Sequence, residues 1–409
     1  LGFQAWVPGQ TGQPSRGHPR VGRHVRYPAP DRIRGLALLG ILVVNIGFMV
    51  GPIGLVLDPP AAQSDLAERT GWWLVRLGFE SKFMALFALL FGASVMLAGG
   101  DPKRHEARML RLFPIGMLHG LLLFFGDILH AYAVWGFPLA RLRGMPGKWL
   151  LLFGSIAFCW YLAVTTAVHS FEVEESPFPN TGSPWWRLAM ASADPGDPAF
   201  IALETEVVQA GPSVDSILYR MVVFTYVGIK GVFQTGWRVF ALFLLGLWLT
   251  RRRLWDTPNR FRLLCWGIPI GLLLETVAIY GMSLGKPYGI ATTVAHELGS
   301  ILLALGLFVG LAHWRGEGGW LTRHVQAAGR MALTVYLLQS CVMFALAHSG
   351  YWGAIDRAAA LGVAVVTWAG CIFFCERWLR RFPTGPVEHL WRSWADGTCG
   401  QHASATKDP

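Results

Sequence analysis

Charge is what this chain has least of. Only 15% of its 409 residues are charged, against about 25% in a soluble globular domain. Cysteine is also sparse: of the six, five (Cys159, Cys265, Cys341, Cys371 and Cys375) sit in apolar segments and only Cys399 lies apart. That usage predicts no disulfide framework. Cys371 and Cys375 alone make a poor metal site, so no metal is expected. Residues 1–30 hold no apolar core and no small-residue cleavage site, which excludes a signal peptide there. The chain has no P-loop, no GxGxxG opening a helix and no GxSxG elbow. AHELGS at 295–300 begins like a zincin motif, but Ser300 stands where the second histidine belongs. The net charge of +10 comes without zinc-finger spacing or an aromatic-interleaved basic groove, so no nucleic-acid partner is expected.

What the chain does have is hydrophobic residues, 53% of the total, arranged in repeated runs of about 15–25, the length that crosses a bilayer. The expected fold is all-α: a polytopic integral membrane bundle of about ten transmembrane helices with membrane lipid around it. The spans are read at 33–56, 72–97, 110–125, 128–142, 149–168, 239–249, 263–282, 293–313, 332–348 and 358–375. A disordered basic tail (1–30) precedes the transmembrane domain (31–392), and a flexible tail (393–409) follows. Lys and Arg cluster in alternate loops, which places both termini in the cytoplasm of a bacterium, with the protein in its inner membrane. Residues 170–214 are rich in Asp and Glu and read as an external loop. Charge parity leaves room for one crossing between 215 and 250, so 217–231 is expected to be interfacial or re-entrant.

Ionisable groups are costly in lipid and tend to mark function. The stretch GMLHGLLLFFGDILHAYAVWG (116–136) concentrates them in a short apolar hairpin. Asp127, after Gly126 at its tip, either orients and accepts a proton or caps the following helix. His119, near mid-span, is a general base, a proton relay or a structural histidine. His130 falls one turn after Asp127 and can share its face. Asn45 wants a hydrogen-bond partner within the membrane. Lys82 contacts an anionic ligand, pairs with a carboxylate or snorkels. Arg330 sits at the inner face, while Tyr336 and Gln339 are interhelical donors.

Five words in order, DRIRGLALLGILVVNI (31–46), KFMALFALLFG (82–92), LHGLLLFFGDILHAYAVWG (118–136), GRMALTVYLLQS (329–340) and GPVEHLWR (385–392), together resemble the YeiB family. The C-terminal half of that family is a domain of unknown function, number 418. The matched positions include Arg34, Asn45, Lys82, His119, Asp127, Arg330, Gln339, Glu388 and Arg392, while His130 stands where an apolar residue is expected. The family is more distantly similar to transmembrane acyltransferases, which pass an acyl group from a cytoplasmic donor to an acceptor on the far side. Asn45, eleven residues after Arg34, stands where acyltransferase-three proteins carry a histidine. The resemblance implies an acyl-CoA donor held near Arg34, Lys82 and Arg330, with Gln339 nearby. It also implies His119 as base, Asp127 orienting the acceptor and Asn45 bonding the oxyanion. The alternative is a small-solute transporter with an intramembrane His/Asp proton pathway.

Overall fold

Pro28 and Pro30 fall in the first turn of a helix, where a missing N–H costs nothing, and an uninterrupted apolar run follows them. In the computed structural model this becomes α1 (Pro28–Val50). The structure describes residues 28–57, 59–60, 64–170, 198–253, 263–284, 289–312 and 319–396. The basic tail, most of the 170–214 insert and the C-terminal tail lie outside the described residues.

A short α2 (Ile53–Leu57) is followed by α3 (Leu66–Gly78) and α4 (Lys82–Ala98). These last two come from the apolar stretch read as one span, and they are separated by Ser81, which adopts a positive φ of 62°. A non-glycine residue in that region is strained and needs its surroundings to hold it. Next come α5 (Pro102–Leu122), α6 (Leu129–Gly136), α7 (Leu139–Leu142) and α8 (Gly147–Ser170). The second half holds α9 (Pro198–Gln209), α10 (Val214–Lys230), α11 (Gly236–Arg252), α12 (Ile268–Ser283) and α13 (Ile290–Ala312). The chain closes with α14 (Trp320–Arg330), α15 (Ala332–Leu346), α16 (Arg357–Leu379) and α17 (Pro386–Ala395).

Among the described residues, eight helices are long and apolar enough to cross a membrane. The protein is therefore an all-α, multi-pass membrane protein. Eight of the ten expected spans fall on these helices; the other two are the arms of the Asp127 hairpin. The first arm, α5, carries Lys103, Arg104, Glu106, Arg108 and Arg111 along its first half. The second, α6, runs for eight residues to Gly136, about 12 Å of helix, before the turn at Phe137–Pro138 and the short α7. The two arms form a helical hairpin tied at its base by Arg141 and Glu106 at 2.7 Å, and neither has the length and composition of the other eight.

The segment 217–231 is helical and runs on into α11 through a π turn at Gly231–Thr235, giving one helix from Val214 to Arg252. At 39 residues it is about 58 Å long, nearly twice the hydrocarbon thickness. Three of the polar residues that break its apolar pattern meet groups from other helices. Gln234 donates to Thr165 Oγ1 at 2.9 Å, Arg238 pairs with Glu297 at 2.6 Å, and Arg220 lies over the Phe344 ring.

α1 and α14 meet backbone to backbone. A Cβ on Gly35 would lie 2.1 Å from the Val325 carbonyl oxygen, and one on Gly329 would lie 1.8 Å from that of Asp31. Each helix therefore presents its only tolerable residue at the other's main chain. Gly329→Ala should force the two helices apart at a cost of about 1–3 kcal/mol or more. A lowered thermal midpoint of the purified protein is the expected readout; an unchanged midpoint would mean that the crossing is not this close.

Candidate functional site

The α1–α14 contact sets two arginines, Arg34 and Arg330, side by side in sequence with the touching glycines. Both line the mouth of a cavity of about 430 Å³, joined there by Glu388, Trp391 and Arg392 of α17. Glu388 fastens α17 over this mouth: its carboxylate accepts the N–H of Leu333 at 2.7 Å and of Thr334 at 3.2 Å, and the Thr334 hydroxyl at 2.5 Å. These are orphan donors at the start of α15, and a carboxylate satisfies both their hydrogen-bonding and the helix dipole. Arg34 is itself anchored by Asp31 and Ser94, and Arg330 donates to the Pro383 carbonyl.

Inward from the arginines the walls become aromatic and aliphatic, with Phe83, Phe87 and Phe91 from α4 and Leu38 and Ile41 from α1. Five polar side chains interrupt them, two of which are Ser81 and Glu80, the latter held by Arg76 at 2.8 Å. Asn45 lies about 16 Å beyond Arg34 along α1 and has no hydrogen-bond partner among the described residues. The Tyr132 hydroxyl is buried and likewise unpartnered. Tyr336 lines the wall and donates towards Asp127 Oδ1 at 3.5 Å.

Behind Tyr336 lies a polar cluster closed off from the cavity. Asp127, in the turn between α5 and α6, is 6% exposed and meets two imidazoles. His119 Nδ1 is 2.8 Å from Oδ1, and His130 Nδ1 is 2.9 Å from Oδ2. The His130 backbone N–H also donates to Oδ2 at 3.1 Å. Asp127 thus caps α6 and orients side chains at once. With a carboxylate at Nδ1, that nitrogen carries the proton and His119 Nε2 is left as acceptor. The Ser340 Oγ sits 2.8 Å from Nε2. Ser340, His119 and Asp127 therefore have the connectivity of a nucleophile, a base and a base-orienting carboxylate. On its other side His130 Nε2 faces the Gly228 carbonyl at 3.2 Å, so both of its ring nitrogens are placed to donate.

A second buried network lies across α4. Lys82 Nζ is 2.7 Å from Glu275 Oε1 and donates to the Arg76 carbonyl at 2.6 Å. His296 Nδ1 reaches the other oxygen of Glu275 at 2.8 Å, and its Nε2 lies 3.1 Å from Ser81 Oγ. Arg238 pairs with Glu297, which also accepts the Tyr161 hydroxyl at 2.8 Å. Two cations face two carboxylates here, which is how charges persist in a low-dielectric interior.

Of the residues singled out in the sequence, Arg34, Asn45 and Arg330 line the cavity. His119 and Asp127 pair with each other just behind its wall. Lys82 turns away into the second network, with its ammonium already engaged by Glu275. Gln339 is buried off the cavity, and its amide nitrogen is unpartnered. Ser340 escaped notice, although it ends the GRMALTVYLLQS word. It lies one turn after Tyr336 and so shares a helix face with a residue already singled out. Tyr132 stands among the polar groups of the hairpin, but the sequence gives it no role because a lone tyrosine in an apolar run looks like packing.

Residues 245–398 match a family model described as "Protein of unknown function (DUF418)". That region holds Glu275, Glu297, Ser340 and α17, whereas His119 and Asp127 lie before it. The chain is 28% identical over 408 residues to the uncharacterised protein YeiB of Escherichia coli (strain K12), covering 92% of this chain and 98% of YeiB. It is 25% identical over 400 residues to the uncharacterised protein YxaH of Bacillus subtilis (strain 168), covering 89% of this chain and 92% of YxaH. Residues 245–398 are thus a DUF418 domain, in a chain homologous over most of its length to YeiB and YxaH.

Proposed function

We propose that the protein transfers an acyl group from an acyl-CoA on the cytoplasmic side of a bacterial inner membrane to a hydroxyl or amine acceptor on the outer side, with both chain termini in the cytoplasm. The observation that carries this reading is the Ser340–His119–Asp127 relay, set directly behind a cavity with arginines at its mouth and apolar walls within. The cavity falls in the usual range for small-molecule sites. Arg34, Arg330 and Arg392 suit the phosphates of CoA, and the phenylalanine-lined interior suits the acyl chain.

In the first half-reaction the Ser340 oxygen attacks the thioester carbonyl carbon and its proton passes to His119 Nε2. The carbon–sulfur bond then breaks, and the departing thiolate takes that proton. In the second, the acceptor oxygen or nitrogen attacks the Ser340 ester and gives its proton to Nε2. The carbon–Oγ bond breaks and Ser340 recovers the proton. Asp127 holds the His119 tautomer throughout, and the unpartnered Asn45 amide offers a hydrogen bond to the carbonyl oxygen on the cavity side. Tyr336 stands between cavity and relay, so its ring turns aside for Ser340 to meet the thioester.

Native mass spectrometry with palmitoyl-CoA tests the donor half. A one-to-one complex is expected, and Arg330→Ala should weaken it by about tenfold, the equivalent of one lost charge-assisted contact. If the folded protein binds no acyl-CoA, acyl transfer is excluded and the Asp127 cluster becomes the centre of a proton-coupled solute pathway.

A further inference from the structure

At the end of the bundle away from the arginines lies a second, much smaller cavity of about 30 Å³. It is walled by Phe48 of α1, Phe124 at the tip of the α5–α6 hairpin, Phe344 of α15 and Trp352 just beyond it. Phe48 is about 21 Å beyond Arg34 along α1. Into this aromatic enclosure projects Arg220, only 8% exposed. Its guanidinium stacks over the Phe344 ring, 4.7 Å from the centroid. One nitrogen donates to Ser216 Oγ at 3.1 Å and faces His348 Nε2 at 3.4 Å. Its Nε–H is buried without any partner.

Among the described residues no carboxylate pairs with Arg220. Glu204, on the adjoining α9, is turned elsewhere: it accepts the Tyr219 hydroxyl at 2.6 Å and the Ile53 N–H at 3.1 Å. Burial pushes the Glu204 carboxyl up to about 7, which makes it a weak counter-charge at neutral pH. Three other buried cations each hold a carboxylate: Lys82 has Glu275, Arg238 has Glu297 and Arg76 has Glu80. An arginine that gives up its hydration without a carboxylate in return is costly unless a ligand supplies the anion.

The cavity is also well placed. Phe124, on its wall, lies edge-on to the His119 ring at 6.5 Å, while Tyr336, on the wall of the large cavity, lies 4.9 Å from the same ring on another side. His119 therefore sits between the two spaces. We infer that the small cavity is the acceptor subsite and that it captures a carboxylate of the acceptor on Arg220, with the aromatic walls against the rest of the molecule. A planar carboxylate matches the fork of Nε and its neighbouring nitrogen, and the small volume favours it over the bulkier phosphate. This inference rests on the acyl-transfer reading for the word acceptor, but not for the binding itself.

The test uses the full chain in detergent and trifluoroacetate as probe, followed by ¹⁹F line broadening, with the neutral isostere trifluoroacetamide alongside. Trifluoroacetate should broaden saturably and trifluoroacetamide should not. Arg220→Gln should weaken the apparent affinity at least tenfold, and Ser216→Ala by less. Equal broadening by the amide, an unchanged affinity in Arg220→Gln, or displacement by inorganic phosphate at lower concentration than by acetate would each overturn the inference. Palmitoyl-CoA binding on the same samples separates the readings. Its retention in Arg220→Gln shows that the variant is folded; if it is lost, the acid-against-amide comparison in the unaltered protein decides. Trifluoroacetate binding without palmitoyl-CoA binding would leave the anion site standing and remove the acyl-transfer reading.

Discussion

Ser340→Ala is expected to lower acyl transfer by about 10³-fold or more while palmitoyl-CoA still binds, because a relay of this kind loses most of its transition-state stabilisation with any one member. His119→Ala should cost as much, and the double variant no more than either single one, since the two groups act as a unit. The unaltered protein, incubated with palmitoyl-CoA and no acceptor, should carry the acyl group on Ser340, visible by peptide mass spectrometry and released by hydroxylamine. Asp127→Asn would keep the shape of the turn but reverse the hydrogen-bond demand on His119 Nδ1, leaving Nε2 protonated and unable to accept from Ser340. The outcomes separate two chemistries. If Ser340→Ala still transfers and His119→Ala does not, the imidazole activates the acceptor directly and no acyl-enzyme forms. If both variants transfer normally, the relay is structural.

The second large effect concerns stability. Lys82 and Glu275 are 1% and 0% exposed at their side chains. Lys82→Ala should destabilise the protein by about 3–5 kcal/mol, because it strands the carboxylate rather than because the pair was strong. The double variant Lys82→Met with Glu275→Leu should recover most of that loss, since two apolar side chains of similar size remove both charges at once. Thermal unfolding in one detergent gives the comparison. Had Lys82 held the donor, as the sequence implied, Lys82→Ala would instead weaken palmitoyl-CoA binding and leave the midpoint alone.

That contrast shows what a linear chain conceals. The eight long apolar helices were legible, because hydropathy and length act locally. So was Asp127 as the cap of the following helix, because cap and helix adjoin. Lys82 was visible as a costly residue, but its partner Glu275 lies in the other half of the chain, and nothing local joins them. The same holds for Ser340 and His119, separated by 221 positions. The continuity of 217–231 with the helix that follows was hidden for a related reason. Arg220 and Gln234 looked like breaks in a span because the groups they meet, Phe344 and Thr165, come from elsewhere. The arms of the hairpin read as spans because they are apolar, but the charges in α5 and the break at Phe137–Pro138 set them apart from the eight longer helices.

The glycine contact between α1 and α14 has a consequence for how specificity can evolve. Arg34 and Arg330 each adjoin a glycine whose hydrogen already touches the other helix's main chain. The gauge between these charges is therefore set by two backbones, and no exchange of lining side chains can widen or narrow it. The phenylalanines deeper in the cavity obey no such constraint. Trimming Phe87 or Phe91 would lengthen the space for a chain without moving the arginines. On the acyl-transfer reading, the grip on the CoA phosphates and the room for the acyl chain would thus be written in separate registers of the sequence, one nearly immutable and one free to drift.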